Sequence, residues 1–112
     1  MSEVIIHESV SGGLRLVTYI TPGVQVEVHT HKKDGLTNVK VFKVGDHVEY
    51  DSYNLSYTGP ITSITGKTVI VRKGNWSNAK TKRMKPEEFA WRNFDFDLDR
   101  VNRENWETSM YI

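Results

Sequence analysis

Seven cations and no carboxylate stand in residues 67–85, KTVIVRKGNWSNAKTKRMK: Lys67, Arg72, Lys73, Lys80, Lys82, Arg83 and Lys85. The chemistry this composition offers is electrostatic rather than bond-breaking. Mobile cations neutralise phosphates, and Trp76 in the middle of the run offers a flat face on which a base can stack. Tyr50, Tyr53 and Tyr57 precede the run and form a candidate aromatic rim. Such rings stack on bases or enclose a methylated cation. Beside a cationic strand an anionic or planar ligand is the better match, because like charge repels a cationic one. The plainer readings are a solvated basic face that pairs with the acidic tail, and tyrosines that cover a small core with their hydroxyls in water.

His29 and His31 lie two residues apart, so on a strand they project from one face and could present two imidazoles to a metal. A metal-dependent enzyme built on them needs a third ligand, such as His7 or Glu27. The stretch GVQVEVHTH resembles the first half of a cupin motif, but Gly35 and Leu36 stand where its glutamate belongs. If Val24, Val26 and Val28 face a core, both histidines face away from it. Asp95, Asp97 and Asp99 have the spacing of a calcium loop. Arg100 and Trp106, however, occupy the positions of its glycine and its bidentate glutamate. They read instead as the acidic first turn of a helix. No Ser/His/Asp set, phosphate loop or carboxylate pair stands out, so the sequence implies neither catalysis nor a cofactor.

The net charge of +1 hides a division: residues 1–66 sum to −2, residues 67–85 to +7 and residues 86–112 to −4. A local field of one sign attracts a partner of the other. A length of 112 residues fits one domain, and twelve aromatic side chains are too many for a disordered chain. The absence of cysteine excludes a disulfide scaffold and thiolate metal sites and suits a reducing, cytoplasmic setting. No apolar run approaches the roughly 20 residues of a membrane span.

These residues must be positioned by short strands. VIIHESV, LRLVTYI, VQVEVHT and NVKVFKV are rich in β-branched residues and separated by SGG, TPG and HKKDG, so residues 1–41 are predicted to form a β-meander. A strand then enters through Gly45-Asp46, followed by strands in TGPITSIT, KTVIVRK and TKRMK. Pro86, with two acidic residues behind it, marks a helix start. In the tail, residues 90–112, a helix is predicted from about Phe96 to Thr108, capped by Asp95 or Asp97 and docked by Trp91, Phe94 and Phe96. The fold expected is mainly β, a meander with a small barrel and a C-terminal helix.

Over residues 42–89 the order resembles the SH3-like small barrels of the KOW and Tudor type. The matching residues are Gly45-Asp46-His47-Val48, Gly59-Pro60-Ile61, Ile64, Val69 and Val71. The loop DSYNLSYT departs from the glycine-rich KOW loop. The resemblance implies a binding module. With the charge pattern it points to nucleic acid, Lys82, Arg83 and Lys85 touching phosphates, Lys67 and Arg72 flanking them and Trp76 stacking, while the acidic tail competes for the same cations. The alternative is a protein-interaction module, including a small inhibitor of a host protein encoded by a phage or other mobile element. Trp76, Trp91 and Tyr111 would then be its anchors. The sequence specifies no oligomeric state.

Overall fold

The computed structural model describes residues 3–52, 56–74 and 79–99. Alternating β-branched residues and glycine turns build a first antiparallel sheet in chain order from β1 (Ile5–Ser11), β2 (Leu14–Thr21), β3 (Gln25–Lys32) and β4 (Gly35–Lys43). Gly12 and Gly13, at φ 57° and 83°, make the two-residue turn between Ser11 and Leu14. Two consecutive positive φ values match the right-handed twist of a hairpin, and glycine adopts both without strain. Val24 lies in the turn before β3, its N–H bonded to the Thr21 carbonyl at 2.9 Å. Val26 and Val28 are fully buried.

A second antiparallel sheet follows, again in chain order: β5 (His47–Ser52), β6 (Ser56–Ile64), β7 (Val69–Arg72) and β8 (Thr81–Met84). Its corner is β6. The first half of this strand pairs with β5, from Ser52↔Ser56 to His47↔Pro60, and its second half pairs with β7, from Ile61↔Val71 to Ile64↔Val69. A strand shared in this way must bend, and Gly59-Pro60 stands at the bend. Irregularities in register fall on both sides of it, between Glu49 and Asp51 and between Ile61 and Ser63. Such bulges sharpen the local twist. The sheet curls into a half-barrel, and β8 comes close enough to β5 for the Lys82 ammonium to donate to the Tyr50 carbonyl at 3.0 Å.

Helix α1 (Pro86–Asn93) follows β8 directly, with Pro86 in its first turn and Glu87 and Glu88 at its positive end. Phe89 is completely buried, edge-on to Phe42 with ring centroids 5.2 Å apart. One buried cluster joins both sheets and the helix, with Leu16, Ile20, Val26 and Val28 meeting Val48, Ile61, Val71 and Met84. Polar ties cross the same seam. The Gly23 N–H donates to the Ile64 carbonyl at 2.8 Å, and the His7 ring lies 3.1 Å from the Gly66 carbonyl. Trp91 and Phe94 pack on the cluster and Phe96 is buried, as the tail's docking residues were expected to be. Asp97 accepts the Asp99 N–H at 3.0 Å in the geometry of a helix cap, while most of the helix expected over 96–108 falls outside the described residues. Among the described residues no helix is long and apolar enough to cross a membrane.

Asn93 closes the fold where β5 bulges. Its side chain is fully buried, and Oδ1 accepts the Glu49 N–H at 2.9 Å. Nδ2 donates to the carbonyls of Glu49 at 3.1 Å and Phe89 at 3.2 Å. One amide thus supplies a donor and an acceptor to the same β5 residue, as a neighbouring strand would. Asn93→Ala orphans both groups at a cost of roughly 1–3 kcal/mol each when buried. The expected loss is about 3 kcal/mol, read as a fall of about 12 °C in thermal midpoint. A fall under about 4 °C would mean that water replaces the amide.

Candidate functional site

The seven cations of residues 67–85 are divided by the pleat. Val69, Val71 and Met84 have no exposed surface, so they mark the inner face of β7 and β8. Val71 is paired with Lys82 in register, which puts Lys82 on that inner face too. At the sheet edge it reaches helix α1, where its ammonium lies 3.2 Å from Glu88, besides donating to the Tyr50 carbonyl. Lys82 is therefore held between Glu88 and the Tyr50 carbonyl, on the opposite face from Arg83, with which the sequence groups it. Ile70 pairs with Arg83 and Arg72 with Thr81, so both arginines belong to the opposite, outward face.

With the outward Arg72 and Arg83, the remaining four cations form a ribbon along the β7–β8 hairpin and the turns at its two ends. Lys73 and Lys80 sit at one end, joined by a backbone hydrogen bond of 2.7 Å from the Lys73 N–H to the Lys80 carbonyl. Arg72 and Arg83 occupy the middle, with the Arg72 Nε–H held by the Gly74 carbonyl at 2.9 Å. Lys67 and Lys85 close the other end, where they line a groove of about 450 Å³ together with His7, Pro86 and the carboxylates Glu8 and Glu87. Lys67, Lys73, Lys80, Arg83 and Lys85 are exposed. Among the described residues, none of these six cations is within ion-pair distance of a carboxylate. β7 itself spans about 10 Å at a strand rise of about 3.3 Å, and Lys67 and Lys73 lie in the turns beyond its two ends. Trp76 and Tyr53 lie outside the described residues.

Two of the rim tyrosines come together on β5 and β6. Tyr50 and Tyr57 have ring centroids 6.4 Å apart, Tyr57 exposed and Tyr50 packed on the core cluster. Burial holds the Tyr50 hydroxyl above the ordinary tyrosine range, with the Asp51 carboxylate and Tyr57 adding to the shift. The folded chain thus binds this proton more tightly than the unfolded chain. Stability is full below the ordinary tyrosine range and falls as pH rises through it to the raised value. Tyr50→Phe should remove that fall. Denaturation midpoints of the two proteins are expected to run parallel to about pH 9, with the parent dropping relative to the variant above it. Curves that stay parallel throughout would refute the assignment.

A charge network behind the ribbon was not legible in the sequence. Arg92 bridges Glu49 at 3.5 Å and Glu88 at 3.7 Å, and Glu88 continues to Lys82. It lines an open cavity of about 410 Å³ with Trp91 and Asp95. The i, i+4 spacing of Glu88 and Arg92 was its one readable sign. Trp91 is not a free anchor, since its indole N–H donates to the Ser9 hydroxyl at 2.7 Å and its ring meets Phe94 edge-on. Tyr111 lies outside the described residues. His29 and His31 do project from the outer face of β3, with His29 half-buried against Tyr19 at 4.5 Å. Of the two third ligands considered, His7 is on the inner face of β1, bonded to Gly66, while Glu27 shares the outer face of β3 with both histidines, and among the described residues no three such side chains are grouped to hold a metal. No family model, curated protein or solved structure matches this chain.

Proposed function

We propose that this chain is a non-catalytic module that binds nucleic acid along the outward face of β7 and β8, and that its second sheet is an SH3-like barrel of the KOW or Tudor type. The observation that carries the reading is the ribbon: six cations along the β7–β8 hairpin and its end turns, without an ion pair among the described residues, with the seventh turned inward to Glu88. Cations on a twisted two-stranded surface suit the backbone and carry little base-edge readout. Tyr57 and Trp76 are the side chains assigned to stacking, which favours single strands.

The test is fluorescence anisotropy with labelled single- and double-stranded DNA and RNA at two salt concentrations. Six phosphate contacts on a single strand give a log–log salt slope of about −4. The expected result is affinity that falls about 300-fold between about 50 and 200 mM salt. No binding at the lower salt overturns the proposal, and binding that salt leaves unchanged overturns the ribbon as its site.

A further inference from the structure

The first sheet has a second face that neither the core nor the ribbon uses. Its inner side chains are Leu16, Ile20, Val26, Val28 and Phe42, which leaves the alternate residues outward. On β1 these include Ile6 and Val10, 59% and 65% exposed, and on β4 Leu36, Val39 and Val41, 55%, 42% and 44% exposed. Val17 and Tyr19 of β2 lie between the two groups in register. At the same time Lys40 of β4 is turned inward, donating to the Phe96 carbonyl at 2.7 Å. A strand that keeps its valines in water and its lysine underneath is arranged for a cover on the valine side.

We propose that a second copy of this chain is that cover, joined face to face about a two-fold axis that crosses the strands through the row Val17, His29 and Val39. The charges select this occupant. The outward face carries Glu8 and Glu27 against Arg15 and Lys43, with no excess of either sign, unlike the ribbon. The proposed axis exchanges the rows on either side of it. Glu27 then faces the other copy's His31, and Tyr19 faces the other copy's Arg15 as a cation–π pair. Ile6 meets Val10, and Val41 meets Leu36. Glu8 faces its own counterpart at the β1 rim, where each is already held 3.7 Å from Arg15.

Four strands at about 4.8 Å and seven residues at about 3.4 Å give a face of about 450 Å² in projection. Side-chain relief raises this to about 600 Å² per copy, or about 1,200 Å² in all, the lower edge of stable interfaces. Interfaces at this lower edge include many transient ones, so association is sought in the micromolar range. The inference stands on the first sheet alone and does not depend on nucleic-acid binding.

The experiment is sedimentation equilibrium of the full chain from about 2 to 200 μM, a range that brackets micromolar association. The average mass is expected to climb from monomer towards dimer. Val39→Lys, at an already exposed site, should raise the dissociation constant at least about 10-fold, with circular dichroism unchanged. Arg83→Glu should leave the dimer intact. Glu27→Arg should weaken it, and Glu27→Arg with His31→Glu should restore it, because that pair exchanges charge across the axis. A monomer at every concentration overturns the proposal and leaves the face to a different protein. A dimer indifferent to Val39→Lys overturns this face, and failure of the charge exchange to rescue overturns this axis.

Discussion

Gly59→Ala is expected to destabilise the protein by about 4 kcal/mol, the sum of an overpacking cost of about 1–3 kcal/mol and one broken backbone contact. A Cβ at this position falls inside the envelope of the Arg72 carbonyl oxygen, 3.1 Å from the Arg72 carbonyl carbon and 3.3 Å from Val71 Cγ1. The obstacle is backbone, and it belongs to β7, the strand to which β6 is turning. Relief would require β6 and β7 to separate at the corner that curls the second sheet. Gly66→Ala is the internal control. Its Cβ would collide with Ile5 Cδ1, the far end of a flexible side chain that can rotate away. A loss of about 1 kcal/mol is expected there. Urea denaturation of both variants is the measurement. Equal losses would show that β6 and β7 part easily, and that the bend does not depend on the missing side chain.

Gly59 also shows which parts of the fold the sequence discloses. The Gly-Pro pair was readable as a feature of a small barrel, and the four strands of the first sheet follow from β-branched runs between glycine turns. Local pattern suffices there because each strand pairs with its sequence neighbour. What local pattern does not disclose is which face of a strand is covered. NVKVFKV has valines at 39 and 41 on one side and Asn38, Lys40 and Phe42 on the other, and alternation alone would bury the valines. The structure buries Phe42 instead, because Phe89 of α1 waits beneath it, 47 positions further along the chain. Lys82 raises the same difficulty at the site. Its neighbours in sequence are ribbon cations, but its partner in register is Val71, so its ammonium passes under the sheet to Glu88. Asn93 was invisible for a related reason: its partner, Glu49, lies 44 residues earlier.

That inward turn of Lys82 makes the functional proposal separable from a mere excess of positive charge. Arg83→Gln and Lys82→Gln change the net charge equally, yet they act on opposite faces of β8. If the outward ribbon holds phosphates, Arg83→Gln should weaken oligonucleotide binding about 5-fold at low salt, corresponding to about 1 kcal/mol, and lower the salt slope by about 0.7. Lys82→Gln should leave binding within about 2-fold and instead lower stability by about 1 kcal/mol, since it removes a partly exposed ion pair and a hydrogen bond to the Tyr50 carbonyl. The combined reversal Lys67→Glu, Lys73→Glu and Arg83→Glu removes three contacts spread along the ribbon and adds repulsion at each. It is expected to reduce affinity at least about 100-fold and the slope by about 2. All three side chains are exposed, so the fold should tolerate the change, which circular dichroism would confirm. Equal effects of Arg83→Gln and Lys82→Gln on binding would mean that the oligonucleotide senses overall charge and not this face. A deficit confined to Arg83 would place the phosphates on the outward side of β8, because the two side chains share a strand and differ only in the side of the sheet they take.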